Sequence, residues 1–184
     1  MKYDSIADIY TANERIREEL IDALSDITPS EASVAAQGDN WSLQQIAEHI
    51  SMVDNGIARI CGSLLEKARS SGKMPDGSFS LSSSFGELAN GLAVKKLEAP
   101  DRVQPTGTIP INESLERMAA STKALDALRG DLERYDLSEH VFPHPYFGNL
   151  SAAEWLALAG LHERRHKDQI MRLKMKIRNE KAPG

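Results

Sequence analysis

Apolar residues recur every three to four positions in four long stretches of the chain, and this spacing predicts four amphipathic helices. The first helix is predicted over about residues 5–24, with the turn sequence TPS at 28–30 ending it. The second is predicted over about residues 42–69, where Ser42 and Gln45 have the spacing of a capping box. Charged side chains occupy the opposite faces of these stretches, as on helices that pack one side against a core.

The third and fourth helices lie in the second half of the chain. We expect the third helix to be capped by Asn112 and to end at Gly130. Its apolar stripe consists of Leu115, Met118, Leu125 and Leu128. A second capping box, Ser151 with Glu154, begins the fourth helix, which is predicted over about residues 152–178.

The connections between these helices are long and irregular. Residues 70–84 are rich in serine and glycine and predict a loop, and residues 85–97 predict a short helix that two glycines weaken. Residues 98–110 contain three prolines, and residues 131–150 form an extended connector. No stretch alternates with a period of two, so we expect no sheet. The pattern predicts one all-α domain over residues 1–184, a four-helix bundle, with a helical bundle of other connectivity as the alternative.

Composition narrows the class of protein. An apolar fraction of 41% and a charged fraction of 27% are ordinary for a soluble globular domain. The net charge of −5 argues against a basic surface for nucleic acid or anionic lipid. No apolar run is long enough to span a bilayer and the N-terminus lacks a signal-peptide core, so we expect a cytoplasmic protein. Cys61 is the lone cysteine, so a metal site would need histidine, carboxylate and water ligands.

Three histidines are predicted to face the interior. His162 and His166 are four residues apart in the middle of the fourth helix's apolar stripe, with Gln169 beside them. His49 lies at the edge of the stripe of the second helix. Buried polar groups without partners cost a few kcal/mol, and one divalent cation would satisfy all three rings. Three nitrogens and an open position make a catalytic zinc site, and nickel or iron accepts the same ligands. The alternative is that each histidine is a satisfied core residue in a metal-free interaction protein.

The segment from His162 to His166 also spells H-E-x-x-H, the signature of zinc proteases. Such proteases need a third ligand, usually downstream, yet no histidine follows His166. The metzincin continuation is also missing. We therefore expect Glu163 to lie on the flank of the helix, bonded to a ligand histidine or paired with an arginine.

Two stretches, NWSLQQIAEHI at 40–50 and HPYFGNLSAAEWLALAGLHERRHKDQI at 144–170, resemble the DinB/YfiT-like family of metalloenzymes. The resemblance implies an up-down-down-up four-helix bundle. It also implies a divalent metal, zinc or nickel, held by His49, His162 and His166, and frequent homodimers. Characterised relatives include S-transferases and isomerases that use low-molecular-weight thiols.

The expected function is that of a metal-dependent enzyme acting on a small molecule, with thiol-dependent S-transfer favoured. One alternative is a hydrolase that activates water, and another is a non-catalytic, stress-related module in which metal only stabilises the bundle. Gln169 is a candidate for orienting a ligand or substrate. Tyr146 and His144 are candidates for lining the site mouth, with a structural connector as the other interpretation. Asp54 is expected to be solvated.

Overall fold

The computed structural model describes residues 3–35, 38, 40–77, 79–91 and 98–181, and these form the predicted all-α bundle. Its long helices are α1 (Ile6–Ser25), α3 (Leu43–Ser71), α5 (Ile111–Asp126) and α7 (Ala152–Lys181). Between them lie the short helices α2 (Pro29–Ala32), α4 (Ser83–Gly91) and α6 (Arg129–Arg134), a 3₁₀ turn (Asp101–Val103), and the strands β1 (Val141–His144) and β2 (Gly148–Ser151). Within these residues, no helix has the length and apolarity needed to cross a membrane.

Helices α1 and α7 lie side by side and run in the same direction. Near their starts, the Asn13 side chain donates a hydrogen bond to the Leu156 carbonyl at 2.9 Å. Near their ends, the Lys174 ammonium donates to the Ala23 carbonyl at 3.0 Å. Because residue numbers increase together along both helices, the pair is parallel.

Helix α3 packs on α7 in the opposite direction. The Cys61 thiol, late in α3, lies 3.6 Å from the carbonyl of Ala152, the first residue of α7. Earlier in α3, His49 contacts His162, further along α7. This antiparallel arrangement brings histidines that are remote in sequence to the same level of the bundle.

Helix α5 packs on α3 and is parallel to it, which completes the topology. The Gln44 amide, at the start of α3, donates to the Gly107 carbonyl at 2.6 Å, just before α5 begins. Further along α3, Gly62 faces Leu128, just after α5 ends. With α1 up, α3 and α5 down and α7 up, the bundle has the up-down-down-up order that the family resemblance implied.

Both predicted capping boxes are present. The Ser42 hydroxyl accepts from the Gln45 backbone N–H at 3.3 Å, and the Gln45 side chain accepts from the Ser42 N–H at 3.0 Å. At the start of α7, the Glu154 carboxylate accepts from the Ser151 N–H at 2.8 Å. Helix α3 ends at Gly72, whose φ of 64° is the left-handed conformation that glycine accepts readily.

Buried apolar side chains form two clusters, and a polar layer separates them along the bundle. On α7 the first cluster ends at Leu161 and the second begins at Ile170. On α3 the second cluster ends at Ile50, and the buried members of the first begin at Ile57. The side chains in the intervals are polar and come from three helices: Arg17, Asp54, His162, Glu163 and His166.

The expectation of no sheet is wrong, because the connector before α7 contains a β-hairpin. Strands β1 and β2 are antiparallel, with Val141 opposite Ser151 and His144 opposite Gly148. Each strand has only four residues, and two prolines interrupt the stretch, so a period-two pattern has no room to develop. Gly148 has a φ of 68°, which a turn this tight requires.

The predicted bounds of the third helix also need correction. Helix α5 begins one residue earlier than Asn112, because Pro110 occupies the cap position and its carbonyl accepts from the Ser114 N–H at 3.0 Å. The helix ends at Asp126, and Gly130 lies inside the short helix α6 instead of ending α5. The short helix predicted over residues 85–97 is present as α4, and residues 92–97 of that prediction lie outside the described residues.

Candidate metal centre

The three predicted histidines meet between α3 and α7. One ring nitrogen of each of His49, His162 and His166 can be chosen so that all three lie within 4.8 Å of one another. The closest approach joins Nε2 of His49 to Nε2 of His162 at 3.1 Å. Nitrogens bound to one tetrahedral zinc ion at about 2.1 Å are about 3.4 Å apart, so small ring rotations bring the three within reach of one ion.

The local sequence explains why these rings converge. Residues four apart on a helix lie on the same face, which aligns His162 with His166 on α7. The antiparallel packing of α3 then supplies His49 from the facing helix. His49 and His166 are buried, and His162 is half-buried, so the cluster lies largely inside the bundle.

Hydrogen bonds orient two of the three rings. Nδ1 of His49 lies 2.7 Å from the carbonyl oxygen of Val103, and Nδ1 of His166 lies 2.8 Å from Oε1 of Gln169. An oxygen of this kind only accepts, so Nδ1 must carry the proton and donate it. Nε2 of each ring therefore keeps its lone pair, which is the form that binds a metal.

This arrangement leaves the third ring, that of His162, without a satisfactory neutral tautomer. With its proton on Nδ1, the lone pair of Nε2 faces the lone pair of His49 Nε2 at 3.1 Å. With the proton on Nε2, His162 donates to Nε2 of His49, but its buried Nδ1 atom then has no donor in the part of the chain that the structure describes. A divalent cation at the centre removes the conflict between the two lone pairs, so the donor set fits a metal ion.

Burial keeps all three histidines neutral. Desolvation lowers the pKa of His166 to about 3, with a smaller contribution from His49. Desolvation is also the main cause that lowers the pKa of His49 and of His162. Neutral imidazole is the metal-binding form, so at neutral pH no proton has to leave these rings before an ion enters.

Glu163, the glutamate of the H-E-x-x-H segment, bonds to Arg17 of α1. The Arg17 Nε–H donates to Glu163 Oε2 at 2.9 Å, and Nη2 donates to Glu163 Oε1 and, at 2.8 Å, to Asp54 Oδ2. Pairing with an arginine is one of the two roles expected for Glu163, and its carboxylate is occupied by the guanidinium.

The expectation that Asp54 is solvated is wrong. Its side chain is 2% exposed and shares Arg17 with Glu163 in the polar layer. Burial, together with the nearby Glu163 charge, holds the pKa of Asp54 well above its usual range. Two buried carboxyl groups share one arginine, and burial raises the pKa of Glu163 as well, although the bonds from Arg17 lower it.

The two residues predicted to take part in catalysis differ in their positions. Gln169 is one turn from His166 and bonds its ring, so it orients a histidine of the cluster. Tyr146 lies in the exposed turn between β1 and β2, where its hydroxyl donates to the Glu98 carbonyl at 2.7 Å. Nearby, the His144 ring stacks on Phe147 with centroids 4.3 Å apart. A catalytic role for Gln169 or Tyr146 stays a prediction.

Sequence reasoning missed several partners of the cluster. Val103 bonds His49 through its backbone carbonyl, and since every residue has one, the residue type gives no signal of this contact. The Trp41 ring, just before the Ser42 cap, lies 4.8 Å from that of His49. Arg17 was detectable, because it is a charged residue beside the buried Ile16 and Leu20 on the inner face of α1.

A cavity of about 260 Å³ lies between α1 and α5, away from the cluster. Ile21, Leu115 and Met118 contribute to its mainly apolar lining, and Arg17 reaches it from the polar layer. None of the described histidines lines it, so the candidate site remains at the histidine cluster.

The fold and the site together define a four-helix bundle whose polar layer carries a three-histidine cluster, compatible with a metal-binding protein. The chain belongs to the DinB superfamily, whose family model matches residues 12–170. It is 24% identical to the uncharacterized protein YuaE of Bacillus subtilis (strain 168) over 162 residues, which is 88% of this chain and 94% of that protein. The crystal structure of TT2238, a four-helix bundle protein, superposes with a TM-score of 0.60 at 20% identity, covering 91% of this chain and 99% of that one.

Proposed function

We propose that this protein is a divalent-metal-dependent enzyme whose ion, zinc or nickel, is held by His49, His162 and His166. The observation that carries the proposal is the convergence of three imidazole nitrogens from two helices, all within 4.8 Å of one another. One divalent ion at the centre would accept a lone pair from each of the three neutral rings.

The composition of the cluster favours an open, reactive site over a closed structural one. Among the described residues, the group consists of three histidines without a carboxylate or a cysteine as a fourth ligand. A structural zinc site normally has four protein ligands, whereas a catalytic one keeps a position for water or substrate. When bound, such an ion acidifies a thiol or a water molecule in its open position.

The chain's own residues supply orientation and a dry environment. Val103 and Gln169 hold the His49 and His166 rings with Nε2 directed toward the cluster. Burial of these two rings excludes water from the inner side, and His162 is the most exposed of the three. These are the contributions that pre-organise a metal site before chemistry begins.

Thiol-dependent S-transfer is the favoured reaction, and one observation argues against hydrolases that use a glutamate base. Hydrolases of the H-E-x-x-H type use the glutamate as a general base, but here Glu163 is bonded to Arg17. A thiol is far more acidic than water, and its thiolate attacks an electrophilic carbon without help from a protein base. The arrangement therefore favours a low-molecular-weight thiol as the second substrate.

Metal analysis of protein purified without a histidine tag tests the proposal. We expect about one zinc or nickel ion per chain, a lower melting temperature in EDTA, and loss of the ion in His49→Ala, His162→Ala and His166→Ala. His140→Ala is the control, because His140 lies outside the cluster. Wild-type protein that binds no ion, even after metal is added, would refute the metal proposal.

Assays of the metal-loaded protein then separate the possible activities. An electrophilic substrate offered with several thiols should give a thioether that requires both protein and metal. Hydrolysis of an ester or amide without thiol would instead support the hydrolase. Bound metal that raises the melting temperature, with no turnover in either assay, would support the non-catalytic module.

A further inference from the structure

The connector formed by residues 98–110, which precede α5, is held against α3 by the buried carboxylate of Glu48, in addition to the bond from Gln44 to the Gly107 carbonyl. Oε1 of Glu48 accepts from the Thr106 backbone N–H at 3.0 Å and from the Thr106 hydroxyl at 2.8 Å. Oε2 accepts from the Gly107 N–H at 2.7 Å. The Glu48 residue is 3% exposed, so these bonds lie in a dry environment where each is stronger than at the surface.

The same connector provides the oxygen that orients His49. Val103 ends the 3₁₀ turn, in which its N–H donates to the Pro100 carbonyl at 2.9 Å, and its own carbonyl accepts from His49 Nδ1 at 2.7 Å. Only two residues separate Val103 from Thr106. Glu48 and His49 are neighbours on α3. One turn of this helix therefore both holds the connector, through Glu48, and donates to its Val103 carbonyl, through His49.

We propose that Glu48 is a positioning residue for the metal centre, acting through the connector on the tautomer of His49. The inference rests on the proposed metal site and deepens it. Without the Glu48 bonds, the connector keeps the bond from Gln44 to Gly107 but loses its bonds at Thr106, the nearer of the two to Val103, and the Val103 carbonyl can move away from His49. The ring then adopts the tautomer with its proton on Nε2, and that nitrogen no longer presents a lone pair to an ion.

Two substitutions weaken the connector by independent means. Glu48→Gln keeps the shape of the side chain but turns an N–H₂ group toward backbone or hydroxyl donors. Gly107→Ala leaves the carboxylate in place. Gly107 has a φ of +77°, and a Cβ there would lie 3.3 Å from Cγ of Gln45, so alanine strains the connector without changing any charge.

The chain offers a matched control for each substitution. Glu154 is also a buried carboxylate that holds a connector to a helix start, accepting from Ser151 and Ser82, and the structure gives it no bond to a histidine of the cluster. Glu154→Gln therefore removes a comparable clamp elsewhere. Gly72→Ala imposes the same left-handed strain at the end of α3, at a φ of +64°.

The first measurement is the tautomer of His49 in the metal-free protein, taken from the ¹⁵N shifts of its ring by NMR. We expect wild type, Glu154→Gln and Gly72→Ala to carry the proton on Nδ1. We expect Glu48→Gln and Gly107→Ala to shift toward the Nε2-protonated form. A role limited to overall stability would lower the melting temperature without moving this tautomer.

The second measurement is metal affinity by competition with a chelating dye. Mutation of a group bonded directly to a metal ligand lowers metal affinity by about 10- to 100-fold. Glu48 acts on His49 only through the connector, so we expect Glu48→Gln and Gly107→Ala to lower metal affinity by about three- to tenfold. The two controls should stay within about twofold of wild type, because their bonds do not reach a ligand.

The outcomes separate this inference from the proposed function. An unchanged His49 tautomer in both folded variants overturns the role of Glu48, even if affinity falls, because the loss would then come from charge or stability. If Glu48→Gln does not fold, Gly107→Ala decides alone. If wild type binds no metal, the metal proposal fails, while the tautomer measurement still decides whether Glu48 orients His49.

Discussion

Replacement of Arg17 by methionine tests the polar layer most directly. Arg17 is the cation that bridges Asp54 and Glu163, whose side chains are 2% and 3% exposed. Methionine keeps most of the volume, so packing changes little, but the variant leaves two buried carboxyl groups without their partner. Removing one partner of a buried ion pair costs about 3–5 kcal/mol, and we expect a loss of free energy of unfolding in this range at pH 7.

The loss of stability in Arg17→Met should grow as pH rises. Without the guanidinium, burial raises the pKa of both carboxyl groups above their values in the unfolded chain, so the folded variant binds protons that the unfolded chain releases. The stability that comes from these protonated carboxyl groups is fully present below their unfolded pKa and is lost as pH rises through their folded pKa. We therefore expect the difference from wild type to be smaller at pH 5 than at pH 8.

Urea unfolding followed by far-UV circular dichroism at pH 5, 7 and 8 measures this effect. Arg117→Met is the control, because Arg117 pairs with Glu113 at 2.7 Å on the exposed face of α5, where such a pair is worth less than about 1 kcal/mol. The reasoning would be refuted if the Arg17 variant lost no more stability than the Arg117 variant, or if its loss did not increase with pH.

Three further predictions follow from named contacts. Metal-free protein should lose about 2 kcal/mol of stability through His166 alone between pH 7 and pH 5, because burial holds its folded pKa at about 3 while the unfolded ring takes up a proton near 6.5. Urea unfolding in EDTA at several pH values should show that the free energy of unfolding of His166→Gln falls less between pH 7 and pH 5 than that of wild type. Gly160→Ala should lower the free energy of unfolding by about 1–3 kcal/mol, and with it the melting temperature, since its Cβ would lie 2.1 Å from Oδ1 of Asn13. Gly56→Ala, in open space on α3, should instead raise the free energy of unfolding by about 0.5–1 kcal/mol. Glu163→Gln should keep its metal content and any metal-dependent rate within a few-fold, because the carboxylate is bonded to the guanidinium of α1; a loss of about 100-fold or more with the metal retained would restore the general-base interpretation.

Local interactions explain which elements were predictable from the sequence. The boxes at Ser42 and Ser151 join residues three apart, so their sequence spacing is also their structural geometry. The cap of α5 was misplaced by two residues because Asn112 and Pro110 both suit a helix start, and only the observed hydrogen bond to the Pro110 carbonyl decides between them. The β-hairpin was missed because its strands are too short to show alternation.

The histidines and their partners show the same division within the site. A helical wheel was enough to place His162 and His166 on the inner face, because a helix fixes the direction of residues four apart. The role of Glu163 was left open between two partners, and the structure decides for Arg17, which is 146 residues away in the chain. Asp54 was misjudged because its burial depends on that same distant arginine.

The sequence alone determined four amphipathic helices, the capping boxes of two of them and the inward direction of three imidazoles, since each depends on a repeat of a few residues. Only the tertiary structure decided that α3 runs antiparallel to α7, so that His49 and His162, 113 residues apart, come within 3.1 Å. It also decided that a backbone carbonyl, that of Val103, orients His49. The physical reason is that periodicity specifies which face of a helix is buried, whereas the packing of the whole core specifies which faces meet and at what level.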